Sequence, residues 1–106
     1  MPRPLICRRI AGCAPAGEFK PAGIPLSSLE EVRLGHDELE ALRLADLEGL
    51  YQAEAAGKMG ISRQTFGNIV ESARRKVADV LVNGRALRIQ GGSYHMTHRT
   101  CRRKRP

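Results

Sequence analysis

A mainly α fold, with one short β element and irregular basic ends, is the expectation for this 106-residue chain. Three observations carry it. Apolar residues recur at intervals of three and four from Phe66 to Leu81, the spacing that lines one face of an α-helix. Aromatic residues make up only 4% and tryptophan is absent, so the core must be aliphatic. The length allows one small domain and leaves no room for a second core of ordinary size, which excludes a large enzyme.

The elements follow in order. Residues 1–25 hold five of the six prolines and show no helical period, so they read as an irregular N-terminal arm. The domain proper spans 26–92. Ser27-Ser28-Leu29-Glu30-Glu31 fits a short helical turn, and Val32-Arg33-Leu34 alternates as a short strand does. Asp37, with Glu40 three residues later, resembles a capping box opening a helix over 37–48. Gln52 to Met59 forms a second, short helix, stopped by Gly60 because glycine takes the left-handed conformation without a Cβ clash. Ser62 caps the next helix. Its stripe of Phe66, Ile69, Val70, Ala73, Val77, Val80 and Leu81 defines about 20 residues and about 30 Å. After Asn83-Gly84, alternation of Ala86, Leu87 and Ile89 with Arg85, Arg88 and Gln90 predicts a strand over 85–90, paired with 32–34 or standing as a wing. Residues 93–106 carry Arg99, Arg102, Arg103, Lys104 and Arg105 with almost nothing to bury, and read as a disordered basic tail.

Charge is unevenly distributed. The formal net charge is +7, yet residues 30–62 are acidic while 83–106 contain seven basic residues and no acid. That asymmetry points to a polyanion, and to nucleic acid before membrane, because no segment is long and apolar enough to enter a bilayer. Cys7, Cys13 and Cys101 are an odd set, unlike the disulfide framework of a secreted protein, so a reducing cytoplasm is expected. Ile10-Ala11-Gly12-Cys13 resembles a lipoprotein cleavage box, but Arg8 and Arg9 interrupt the apolar run such a signal needs.

Residues 52–69 carry the functional expectation. A helix-turn-helix needs two helices joined by a tight turn and sharing one apolar side. Ala56 is small where the helices approach, Gly60 supplies the turn, and Ala55, Met59, Ile61, Phe66 and Ile69 offer the apolar side. Two helices joined by glycine also occur in ordinary bundles, so it is the combination that points to DNA. With Phe66 inward, Gln64, Asn68, Glu71 and Arg75 fall on the opposite face and Arg63 at the exposed start. Arg63 suits guanine, and Gln64 or Asn68 adenine, in the major groove. Ser62 and Thr65, with first-turn amides, suit a phosphate. Arg74, Arg75 and Lys76 lie further along and suit the backbone of the duplex. Glu71 on the same face would repel phosphate unless it pairs with Arg75 or accepts from cytosine.

Four blocks of the chain resemble a known family: Phe19-Lys20-Pro21-x-Gly23-Ile24-Pro25, Asp37-Glu38-Leu39-Glu40-Ala41-Leu42-Arg43-Leu44-Ala45-Asp46, Ser62-Arg63-Gln64-Thr65-Phe66 and Ala73-Arg74-Arg75-Lys76-Val77-Ala78-Asp79. Together they are similar to the prokaryotic family known as domain of unknown function 134, over about residues 2–92. The resemblance implies a helix-turn-helix similar to region 4 of bacterial sigma factors, with a recognition helix beginning at Ser62 and an upstream helix through Leu42 supporting it. It also implies double-stranded DNA as partner and a role in transcription regulation. The residues beyond Gly92 depart from the shared pattern, and the length excludes a complete sigma factor.

Other readings stand beside this one. A small RNA-binding protein would use the same positive charge, and a sigma-like adaptor would use the same domain to touch the transcription machinery. A homodimer would add a second half-site, with Val80, Leu81 and the strand at 85–90 as contacts. His95-x-x-His98-x-x-Cys101, with Cys7 and Cys13, has metal-ligand residue types, but the tail lacks apolar residues to hold a site, so no metal or other cofactor is expected. Nucleophile motifs, phosphate-binding glycine loops and convergent carboxylates are missing, and catalysis is not expected.

Overall fold

Backbone pairing organises the molecule around a central strand that follows the longest helix. The computed structural model describes residues 8–10, 17–92 and 94–96, and side chains within 17–92. In chain order the elements are β1 (Arg8–Ile10), β2 (Glu18–Phe19), a 3-10 turn (Leu26–Ser28), β3 (Glu31–Leu34), α1 (His36–Leu42), a π-helical turn (Arg43–Leu47), α2 (Gln52–Met59), α3 (Arg63–Asn83), β4 (Ala86–Ile89) and β5 (Tyr94–Met96). The protein is thus mainly helical with a small sheet.

The β content exceeds the two short strands expected at 32–34 and 85–90. Strand β4 lies between β3 and β2, parallel to the first and antiparallel to the second. Its register places Glu31 beside Ala86 and Leu34 beside Ile89. The pairing with residues 32–34 is therefore realised, and the wing is not. Arg88 holds the two outer strands to the middle one, reaching Glu18 at 3.2 Å and Glu31 at 3.3 Å. Strand β2 falls in the stretch read as irregular, and β1 pairs in parallel with β5, which falls in the stretch read as a tail. Two- and three-residue strands carry too few alternations to be recognised from pattern alone.

The cap of helix α1 lies two residues before the expected one at Asp37. Its N-cap is Gly35, whose N–H donates to the Glu38 carboxylate at 2.8 Å, while Asp37 accepts from the Glu38 N–H at 2.9 Å. Glu40, expected to close the box, is instead turned inward and buried, and Arg43 grips it at 2.8 and 3.0 Å. The helix expected over 37–48 stops being α at Leu42. The Glu48 N–H then reaches back five residues to the Arg43 carbonyl at 2.8 Å. Arg43 also pairs with Glu48 at 2.7 Å, so one guanidinium spans the widened turn. The bond to Glu40 raises the Arg43 pKa further above its ordinary value.

Two apolar clusters meet on α3. The first joins Ala41 and Leu44 to Ala55, Ala56 and Met59 of α2 and to Phe66, Ile69 and Val70. The second joins Leu34, Ala73, Leu87 and Ile89, with Leu39, Leu42 and Val80 packed against it. The N-terminal half of α3 thus faces helices, and its C-terminal half faces the sheet. Because the second cluster is narrow, the expected stripe does not stay buried to its end: Leu81 is 76% exposed.

Candidate nucleic-acid interface

The junction between α2 and α3 is built by one glycine and one serine. Gly60 adopts a left-handed conformation (φ 69°, ψ 33°), its N–H bonds to the Gly57 carbonyl at 3.2 Å, and the Ile61 N–H bonds to the Ala56 carbonyl at 3.1 Å. This pair of bonds satisfies the last carbonyls of α2, and Ile61 packs on the first cluster as the C-terminal motif requires. Ser62 then caps α3, accepting from the Thr65 N–H at 3.1 Å and donating to the Thr65 hydroxyl at 2.9 Å. Ala55, Met59 and Phe66 are fully buried beneath the junction.

That anchoring fixes the outward face. With Phe66 at 0% exposure, Gln64 and Asn68 are exposed on the opposite face, as the helical period requires, and Arg63 is exposed as the first residue of the helix. They line an open groove together with Gln52, Gly67, Val70, Glu71 and Arg74. Ser62 is exposed and Thr65 half-buried at its start.

The three basic residues expected further along α3 are not equivalent. Arg74 lies flat against Asp46, bonded through two nitrogens at 2.7 and 3.0 Å. This pairing holds the Asp46 carboxyl below its ordinary pKa and raises that of Arg74. Lys76 bonds to Glu38 at 2.8 Å between α1 and α3. Burial alone would raise the Glu38 pKa, but hydrogen bonds from Lys76, Ser72 and the Gly35 N–H outweigh it and hold it below the ordinary value. Arg75 is 80% exposed and makes only a 3.5 Å contact with Glu71. Two of the three expected phosphate-binding cations are therefore committed to carboxylates, while Arg75 projects into solvent.

Gln52 and Gly67 were missing from the sequence-derived set, although both line the groove beside Arg63 and Gln64. Periodicity tells which residues share a face of one helix, not which residue of another helix stands opposite. Cys7, Cys13, His98 and Cys101 lie outside the described residues, as do the basic residues of 99–105, and His95 enters only through its backbone pairing with Arg9. Among the described residues no group of three potential metal ligands converges.

A family model described as "Protein of unknown function DUF134" matches residues 1–97. The chain belongs to this family. Among curated relatives, a UPF0251 protein of Moorella thermoacetica is 57% identical over 96 residues, covering 91% of this chain and 64% of the relative. The chain thus spans just under two thirds of that longer relative. A UPF0251 protein of Dehalococcoides mccartyi strain BAV1 is 57% identical over 101 residues, covering 95% of this chain and 86% of its own. A third, from Pelotomaculum thermopropionicum, is 53% identical over 105 residues, covering 97% and 80%. No solved structure matches. No described helix is long and apolar enough to cross a membrane.

Proposed function

We propose that this DUF134 protein binds double-stranded DNA with sequence preference and regulates transcription, using α2 and α3 as a helix-turn-helix similar to region 4 of sigma factors. The observation that carries the reading is the division of α3: Phe66 fully buried, with Gln64 and Asn68 exposed on the other side and Arg63 exposed at the helix start. In this reading the start of α3 enters the major groove. Arg63 donates to guanine, Gln64 and Asn68 pair with adenine, and Ser62 and Thr65 meet a phosphate. Arg75 extends the contact along the backbone. Arg74, at the edge of the groove, and Lys76 are engaged by Asp46 and Glu38 and hold α3 in place.

Selection of bound duplexes from a random pool at two salt concentrations tests the proposal. A consensus should emerge, and Arg63→Ala or Gln64→Ala should relax it at one or two positions while leaving the fold intact. Equal retention of every duplex would refute it. A second reading, a protein-binding adaptor, draws on Leu47 and Tyr51, which are exposed beside the start of α2. An adaptor would hold its partner protein in both variants.

A further inference from the structure

Gly67 stands in the half of α3 that carries Arg63, Gln64 and Asn68. Glycine weakens a helix relative to alanine, so its presence inside one calls for a reason. The backbone supplies none, because Gly67 is not among the glycines with positive φ. Packing supplies none either: a Cβ at this position would meet only Gln52 Oε1, at 3.5 Å, an ordinary van der Waals contact. The space that the missing side chain leaves is part of the open groove that Gln52, Arg63, Gln64 and Asn68 line.

We infer that Gly67 is the point where a DNA strand comes closest to α3, its missing Cβ letting the sugar–phosphate chain seat between Gln52 and Asn68. The side-chain amide of Gln52 then donates to a phosphate oxygen, a charge-assisted bond that requires the close approach. Glu71, one turn further along, is paired with Arg75, which offsets its charge beside the track. This inference rests on the duplex-binding reading above and adds to it a backbone contact from a residue pair on two helices.

Gly57 provides an internal comparison. It too lies inside a helix, is exposed, and a Cβ there would meet nothing within 4 Å, but it lies outside that groove. The experiment uses the full chain as wild type, Gly67→Ala, Gly57→Ala and Gln52→Ala. Thermal unfolding is followed by circular dichroism, and affinity by fluorescence anisotropy on duplexes enriched by the wild type and on scrambled duplexes of equal length. Both glycine variants should raise Tm by about 2–8 °C. Only Gly67→Ala and Gln52→Ala should raise Kd, each by about tenfold for the lost bond to a charged group. The factor should be the same on enriched and scrambled duplexes, because a backbone contact carries no sequence information.

A lower Tm for Gly67→Ala would overturn the inference by showing that the glycine serves the fold itself. An unchanged Kd, or a loss confined to the enriched duplex, would also overturn it while leaving duplex binding standing. A wild type that holds no duplex would remove both.

Discussion

Glu38 ties α1 to α3, and its replacement gives the sharpest test of how α3 is held. The carboxylate accepts from the Gly35 N–H at 2.8 Å, the Ser72 hydroxyl at 2.6 Å and the Lys76 ammonium at 2.8 Å. Its side chain is 12% exposed and that of Lys76 36%, so the pair is only partly screened by water. A bond to a charged group contributes about 1.5–3 kcal/mol and a neutral one about 1 kcal/mol. Allowing for the relieved desolvation of the carboxylate, Glu38→Ala should cost about 2–4 kcal/mol. Glu38→Gln keeps neutral partners for Gly35 and Ser72 and should cost only about 1 kcal/mol. Urea denaturation measures both, and a double-mutant cycle with Lys76→Met isolates the ion pair.

The pH dependence has a definite sign. Because the Glu38 pKa is lowered in the folded state, the unfolded chain takes up its proton first as pH falls. The stabilisation is therefore complete above the ordinary glutamate pKa of about 4.3 and is lost as pH drops through the lower folded value. The gap between wild type and Glu38→Gln should be widest at neutral pH and close in acid. An absent gap at neutral pH, or one that persists unchanged into acid, would refute the account of Glu38 as the clasp between the helices.

Two further outcomes are expected. Phe66→Ala removes the largest fully buried side chain under the α2–α3 junction and should destabilise by about 3–5 kcal/mol, read as a lower urea midpoint; a loss below about 1 kcal/mol would contradict its anchoring role. Asp46→Ala breaks an ion pair whose side chains are 45% and 50% exposed and should change stability by no more than about 1 kcal/mol. It frees Arg74 for phosphate, so the slope of log K against log salt should steepen by about 0.9, and an unchanged slope would place Arg74 off the duplex.

Local rules were legible in the chain itself. Gly60 and Ser62 end one helix and start the next because a left-handed turn and a hydroxyl cap are properties of single residues. The burial of Phe66, Ile69, Val70 and Ala73 follows from spacing alone, and so does the exposure of Gln64 and Asn68. Where expectation and structure part, a distant partner decides. Glu40, expected as part of the cap, lies buried against Arg43, because the helix starts earlier: Gly35 and Glu38 form the cap and the His36 N–H bonds to the distant Gly91 carbonyl at 2.9 Å.

The strand at 86–89 is another such case. Placed centrally, with β2 and β3 on its two edges, it has no free edge to offer a second copy, and Val80 is drawn into the core. Of the contacts expected for a dimer, Leu81 alone remains outward. What the amino-acid order determined by itself was how the α2–α3 junction turns and caps and which residues in the first half of α3 face inward, since those depend on neighbours within one helical turn. Which cations are free was settled by tertiary structure: Asp46 and Glu38, 28 and 38 residues away along the chain, hold Arg74 and Lys76. Such pairs form only when separate elements pack, and no local periodicity encodes them.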